Sequence, residues 1–264
     1  MIELPASEFT RAIPLLDGIQ QAVLPYAICQ GLNPGRVFLD RPENPRTALI
    51  WTPVGYYLLC GDPAQAADMS AISQVLTNTF VPASQAGGES SFILLTSHET
   101  WKDRLPALLP GREVIEIYRR PFAFDSASFA ARGDWRERIP PGFRLQPVDA
   151  ALAEQLGMLA SWASLDDFLT HGVGFALLQG DQVASACTSV FASRTHVEID
   201  VHTDEEYQHR GFAKLTASAL IEACLQRGKA PNWECFWENE ASTALAGKLG
   251  FSPRSDYPVY YWEE

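Results

Sequence analysis

Between His196 and His202 a titratable side chain stands at every second position: His196, Glu198, Asp200 and His202. Val197, Ile199 and Val201 fill the gaps, and a period of two is that of a β-strand, whose side chains alternate between its faces. Four groups able to take or give a proton therefore line one face. Ordinary solvation of an antiparallel strand accounts for three of them. A carboxylate in a partly desolvated cleft mouth is different, because loss of water raises its pKa toward the range that suits a general base.

The strand runs into Asp204-Glu205-Glu206-Tyr207 and then into Gln208-His209-Arg210-Gly211-Phe212-Ala213. From Phe212 onward Leu215, Ala219, Leu220, Ala223 and Cys224 recur at three- and four-residue spacing, and Arg227-Gly228 is a stop signal. A helix is thus expected from about Phe212. The amides of His209 to Ala213 would lie at its N-terminus, where N–H groups lack intrahelical partners and the helix dipole is positive. Gly211 keeps side-chain bulk away from them, which makes an anion site; a plain strand-to-helix turn is the alternative.

These residues must be positioned by the elements around them. Runs at 36–40, 47–51 and 56–60, separated by Pro, Gly and Asn, read as an antiparallel meander. A helical pattern over 64–80, a strand at 91–97, a helix at 99–109 and a strand at 113–124 follow, giving the order βββαβαβ. Residues 125–142 lose periodicity, mix both charges and end in Pro-Pro-Gly, so they read as a linker between domains at 1–124 and 143–264. The second domain opens with a strand at 143–149, helix over 150–169 and a hairpin around Gly180-Asp181. After the 196–203 strand and its helix come a strand at 232–238, a helix at 239–250 and a final strand at 257–262. The fold class is α+β, with mixed, mostly antiparallel sheets flanked by helices, and the two halves look like one architecture used twice.

Gln208-x-x-Gly211-x-Ala213 between strand and helix, then 232–238, then Asn239-x-x-Ser242-x-x-Leu245-x-x-Lys248-Leu249-Gly250-Phe251, together resemble the GNAT acetyltransferase superfamily. The resemblance covers 143–262 well and 1–124 weakly, like bacterial members with an extra N-terminal domain. It implies acetyl-CoA as acyl donor, with its pyrophosphate on the amides of His209, Arg210, Gly211, Phe212 and Ala213 beside Gln208. The pantetheine arm would pair with backbone around Asp200, Val201 and His202, and Asn239 would contact it, a helix N-cap being the other role of Asn239. By resemblance Glu198 is the general base and the Val201 amide the oxyanion donor, with Asp200 and His202 as weaker bases. The family's usual tyrosine acid is replaced by Ala246. Tyr260 of the final strand is taken as the substitute, beside Tyr257 and Tyr261, with packing as the alternative role of each.

A net charge of −12 is opposite to the footprint of a nucleic-acid binder. It is concentrated in the second half, with 12 basic against 15 acidic residues in 1–140 and 8 against 17 in 141–264. The acid around Asp204, Glu205, Glu206, Glu234, Glu238 and Glu240 suggests a small cationic amine as acceptor. Five scattered cysteines form no C-x-x-C pair; Cys235 could carry an acetyl group, though a buried structural thiol is the simpler reading. His196-x-Glu198 also fits the H-x-E of zinc deaminases, but Pro231 is followed by a single Cys235, and no metal is expected. With no signal peptide and no membrane span, a cytoplasmic enzyme is expected. At its own strand-to-helix junction the first domain has Asp62-Pro63, so it should hold no CoA and instead form a wall of the acceptor site or a dimer surface. An acyl-CoA sensor without catalysis is the alternative function.

Overall fold

The computed structural model describes residues 1–264 apart from Ala67, with backbone only for Met158 and Leu159. The chain divides into two compact units, one of residues 1–119 with 256–264 and the other of residues 120–255.

The first unit opens with β1 (Ile2–Glu3), a 3-10 segment and α1 (Leu24–Cys29). The expected meander follows as β2 (Arg36–Leu39), β3 (Thr47–Trp51) and β4 (Tyr56–Gly61). Next come α2 (Met69–Val75), a π-helical turn at Leu76–Phe80 and α3 (Val81–Ala86). Pro82 has no N–H to give, and the ladder shifts just before it, the Val81 amide reaching back five residues to Leu76. Then come β5 (Ser91–Thr96), a 3-10 turn, α4 (Leu105–Leu108) and β6 (Ile115–Phe124), whose residues 115–119 belong to this unit. β4 and β5 run parallel, and the other neighbours pair antiparallel. The place between β5 and β6 is taken by the chain's last strand, Tyr257–Glu263. Its Tyr260 and Trp262 are buried with Tyr57, Phe80, Phe92 and Trp101.

The second unit contains residues 120–124 of β6, α5 (Ser126–Ala130), β7 (Phe143–Pro147), α6 (Ala150–Gln155) and α7 (Leu165–His171). It continues with β8 (Gly174–Gln179), β9 (Gln182–Ala192), β10 (His196–Thr203), α8 (Phe212–Gln226), β11 (Ala230–Asn232), β12 (Glu234–Phe236), α9 (Glu240–Lys248) and β13 (Phe251–Pro253). Five strands form one sheet in the order β11-β10-β9-β8-β7, with β10 and β11 parallel. Residues 122–124 pair with β13 on one side, and the Phe122 amide donates to the Trp233 carbonyl on the other at 3.1 Å. Helix α8 starts where expected and stops at a Schellman closure, Gly228 taking φ +69 while the Lys229 amide returns to the Cys224 carbonyl.

The α+β class and the mixed sheets agree with the sequence reading, and several details differ. The helix expected over 64–80 starts only at Met69, with Asp68 and not Asp62 as its N-cap, because Asp62-Pro63 opens a separate turn. The stretch 125–142 is not a free linker: it contains α5, and the amide of Asp125 donates to the Gly250 carbonyl inside the second unit. The expected strand over 232–238 is two strands, β11 and β12, in different ladders. The final strand, β14 (Tyr257–Glu263), is part of the first unit. Its run of aromatic and β-branched residues announces a strand, but no local signal says which sheet receives it.

Candidate active site

The face expected from the period of two is the one observed. Ser185 on β9 bonds Thr203 on β10 at 2.9 Å and Thr216 on α8 at 3.3 Å, so the odd-numbered side chains of β10 face α8. Val197 and Ile199 are buried with Ala217, Leu220 and Ile221 of that helix. His196, Glu198, Asp200 and His202 therefore share the opposite face.

Pairing of β10 changes along its length. It lies beside β11 only over His196, Val197 and Glu198, opposite Ala230, Pro231 and Asn232. Beyond Glu198, among the described residues, its one ladder partner is β9, and there the partner jumps from Phe191 to Ser189, leaving Val190 as a bulge. The Asp204 amide donates to the Ala184 carbonyl at 3.1 Å. In an antiparallel ladder successive residues turn their backbone groups to opposite sides, so His202 and Asp200 also address β9. The N–H and C=O of Val201 consequently face the open edge, and the Thr203 carbonyl on that side accepts from Gln208 Nε2 at 3.4 Å.

Next to this edge lies the loop. A 3-10 turn, Glu205–Tyr207, is capped by the Asp204 carboxylate on the Glu206 amide. His209 and Gly211 both take positive φ, +60 and +81, around Arg210. Alternating backbone of this kind turns amides inward as an anion nest. Gly211 caps α8 with no side-chain hydrogen bond, and among the described residues the amides of His209, Arg210, Gly211, Phe212 and Ala213 have no acceptor. A Cβ at Gly211 would meet nothing within 4 Å, so the space over these amides is open. The Arg210 guanidinium rests over the rings of Phe212 (4.7 Å), Phe143 (5.3 Å) and Tyr207 (5.6 Å), which holds its charge near the loop.

Glu198 is 6% exposed, and Asn232 Nδ2 donates to its Oε2 at 2.7 Å. Asp200 is more open to solvent, yet displacement of water by the surrounding protein raises its pKa, opposed by His202 and by the Val201 backbone. Burial lowers the pKa of His196, whose Nδ1 lies 2.9 Å from Thr195 Oγ1. Asn239 accepts from the Ser242 amide at 2.9 Å and so caps α9, the second role foreseen for it. Ala246 is fully buried.

Tyr260 is the acid expected from the final strand. It belongs to the first unit, 1% exposed, with its hydroxyl enclosed and no hydrogen-bond partner among the described residues, because the last strand is a core strand there. The second unit's tyrosine, Tyr207, is buried, and its hydroxyl lies within hydrogen-bond distance, 3.0 Å, of both Gln179 and Gln182. Cys235 is buried beside Thr243 at 3.7 Å, as a packed thiol. Asn232 was not singled out from sequence, since the register that sets it opposite Glu198 is a property of the fold. Exposed Phe236 and Trp237, after β12, were likewise not singled out. Among the described residues no group of three or more His, Cys, Asp or Glu gathers as a metal site, and no helix is long and apolar enough to cross a membrane.

A family model described as GNAT acetyltransferase matches residues 13–260. A Bacillus subtilis (strain 168) protein, the uncharacterized N-acetyltransferase YdfB, is 29% identical over 265 residues, spanning 98% of this chain and 97% of that one. Among solved structures, a GCN5-related N-acetyltransferase-like protein from Streptococcus suis 89/1591 superposes with TM-score 0.73 at 23% identity, over 98% of this chain and 100% of that one. A tandem GNAT protein from the clavulanic acid biosynthesis pathway gives TM-score 0.61 at 11% identity, over 99% and 97%. These two show the shared fold.

Proposed function

Because the chain belongs to the GNAT acetyltransferase family and is an acyltransferase, we propose that its second unit moves an acetyl group from acetyl-CoA to a primary amine of a small cationic acceptor. The observation that carries this reading is the parting of β10 from β11 after Glu198, beside a helix start whose amides have no acceptors among the described residues.

The residues present fit the donor. The amides from His209 to Ala213, open to solvent above Gly211, suit its pyrophosphate, with Arg210 adding positive charge nearby. The open edge of β10 at Val201 suits the amide-bearing arm, which would pair with it as an added strand. Asn239, at the head of α9, keeps its cap and stands for the family's contact to that arm. Bound acetyl-CoA supplies the thioester carbonyl that the amine attacks.

The chain's part in the step is orientation and proton handling. Glu198 takes the proton that the amine loses as its new C–N bond forms. The Val201 amide, directed to the open edge, donates to the carbonyl oxygen as charge develops there. When the C–S bond breaks, the thiolate takes its proton from water, since Ala246 offers none and the Tyr207 hydroxyl is engaged. Exposed Asp204, Glu205, Glu206, Glu238 and Glu240 make the surroundings negative, which draws a cation toward the site.

The test is acceptor-dependent CoA release across polyamines, aminoglycosides, basic amino acids and neutral or acidic amines. Turnover confined to the cationic compounds is expected, with Glu198→Gln lowering kcat about 10²- to 10⁴-fold. Turnover confined to neutral or acidic amines would refute the acceptor class.

A further inference from the structure

We propose that Asn232 is a positioning residue for Glu198: its side-chain amide fixes the carboxylate at the vertex where β10 and β11 part. This rests on the reading of Glu198 as the base, and it adds the device that holds the base in place.

Glu198 and Asn232 form the third and last rung of the parallel pairing. Paired residues on neighbouring strands project to the same face, so both side chains lie opposite α8, at the point where the strand edge opens. A carboxylate only 6% exposed needs donors to remain ionised. The 2.7 Å bond from Nδ2 to Oε2 supplies one and restricts the rotamer at the same time.

The residue type matters as much as the distance. A Lys or Arg opposite Glu198 would pull the carboxylate strongly acidic and weaken it as a base. A second carboxylate would repel it and couple the two titrations. An amide stays neutral at every working pH, so it orients the base and depresses its basicity less than a cation would. Orientation is worth the arrangement, because about 1 Å of misplacement in a reacting group costs on the order of 10²-fold in rate.

The test is a carboxyl-carbon NMR titration of the full chain labelled in glutamate, with the Glu198 signal identified by its loss in Glu198→Gln. In Asn232→Leu, removal of the donor should raise the Glu198 titration by about one pH unit. In Asn232→Asp, which keeps the shape of the side chain, the pair should titrate in two coupled steps, the upper well above the ordinary carboxylate range. With both variants folded by near-ultraviolet circular dichroism, the limb of the kcat profile set by the base should move with the titration. An unchanged Glu198 titration in either folded variant would overturn the proposal, even if Glu198→Gln is inactive. Conversely, full turnover by Glu198→Gln would sink the reading of Glu198 as base while leaving the titration result standing.

Discussion

Each unit contains a parallel strand pair followed by a strand-to-helix junction, and the two junctions are finished in opposite ways. In the first unit β4 and β5 stay joined to their ends. Ser97 accepts from the Gly61 amide at 2.9 Å, donates its own amide to Leu59 at 3.1 Å, and Trp101 Nε1 bonds the Gly61 carbonyl at 2.8 Å. In the second unit β10 and β11 part after three rungs. The helix starts differ too. Asp68 places its carboxylate on the Ala71 amide (3.0 Å) as the N-cap of α2, and in the turn before it Asp62 accepts from the Ala64 amide (2.8 Å). The second junction begins on Gly211 with no side-chain cap.

The difference teaches that one architecture can be closed or opened by its junction. Where the protein's own carboxylates occupy the amides, a phosphate has neither donors nor favourable charge; where glycine leaves them bare, an anion is favoured. The strands repeat the lesson. β4 is buried over Tyr57, Leu58, Leu59 and Cys60, a core strand, whereas β10 carries Glu198, Asp200 and His202.

Three substitutions sharpen this contrast. The larger effect is expected at Asp68, where Asp68→Ala removes the α2 cap and should cost about 1 kcal/mol by denaturant unfolding. It should add no acetyl-CoA site, because the Ser97 and Trp101 bonds keep the strand ends of the first junction joined; a second equivalent of bound acetyl-CoA would break the comparison.

A smaller effect concerns pH. The Ala64 amide, then Gln65, hold Asp62 below its ordinary value of 3.8, whereas desolvation raises Asp200 above 3.8. Ionised Asp62 therefore adds stability above about pH 4, lost as pH falls through its lowered folded pKa. Asp200 has the opposite sign, since its folded pKa lies above the unfolded one and ionisation subtracts stability once pH rises through the folded value. At neutral pH Asp62→Asn should melt lower than wild type and Asp200→Asn higher; on acidification the Asp200 difference disappears first, below its ordinary value of 3.8, and the Asp62 difference only below its lowered folded value. Shifts of the same sign would contradict the assignment.

Much of this was legible in the chain. The alternation His196 to His202, the apolar repeat of α8, and Gly211 at its head each follow from side-chain type and spacing, and the structure places all three as expected. Long-range pairing was not legible. The strand Tyr257–Glu263 is rich in strand-forming residues, but its insertion between β5 and β6 depends on partners more than a hundred residues away. Asn232 escaped notice because its role exists only in the register of β10 and β11.

The most direct test is calorimetric titration of acetyl-CoA into the full chain and into Gly211→Asp. This variant gives the second junction a carboxylate as the first has; Asp tolerates left-handed backbone better than most residues, and negative charge at a helix start is stabilising. The account predicts one acetyl-CoA per wild-type chain and none in a variant that melts near the wild-type temperature. No binding to the wild type, two molecules per chain, or undiminished binding to Gly211→Asp would contradict it.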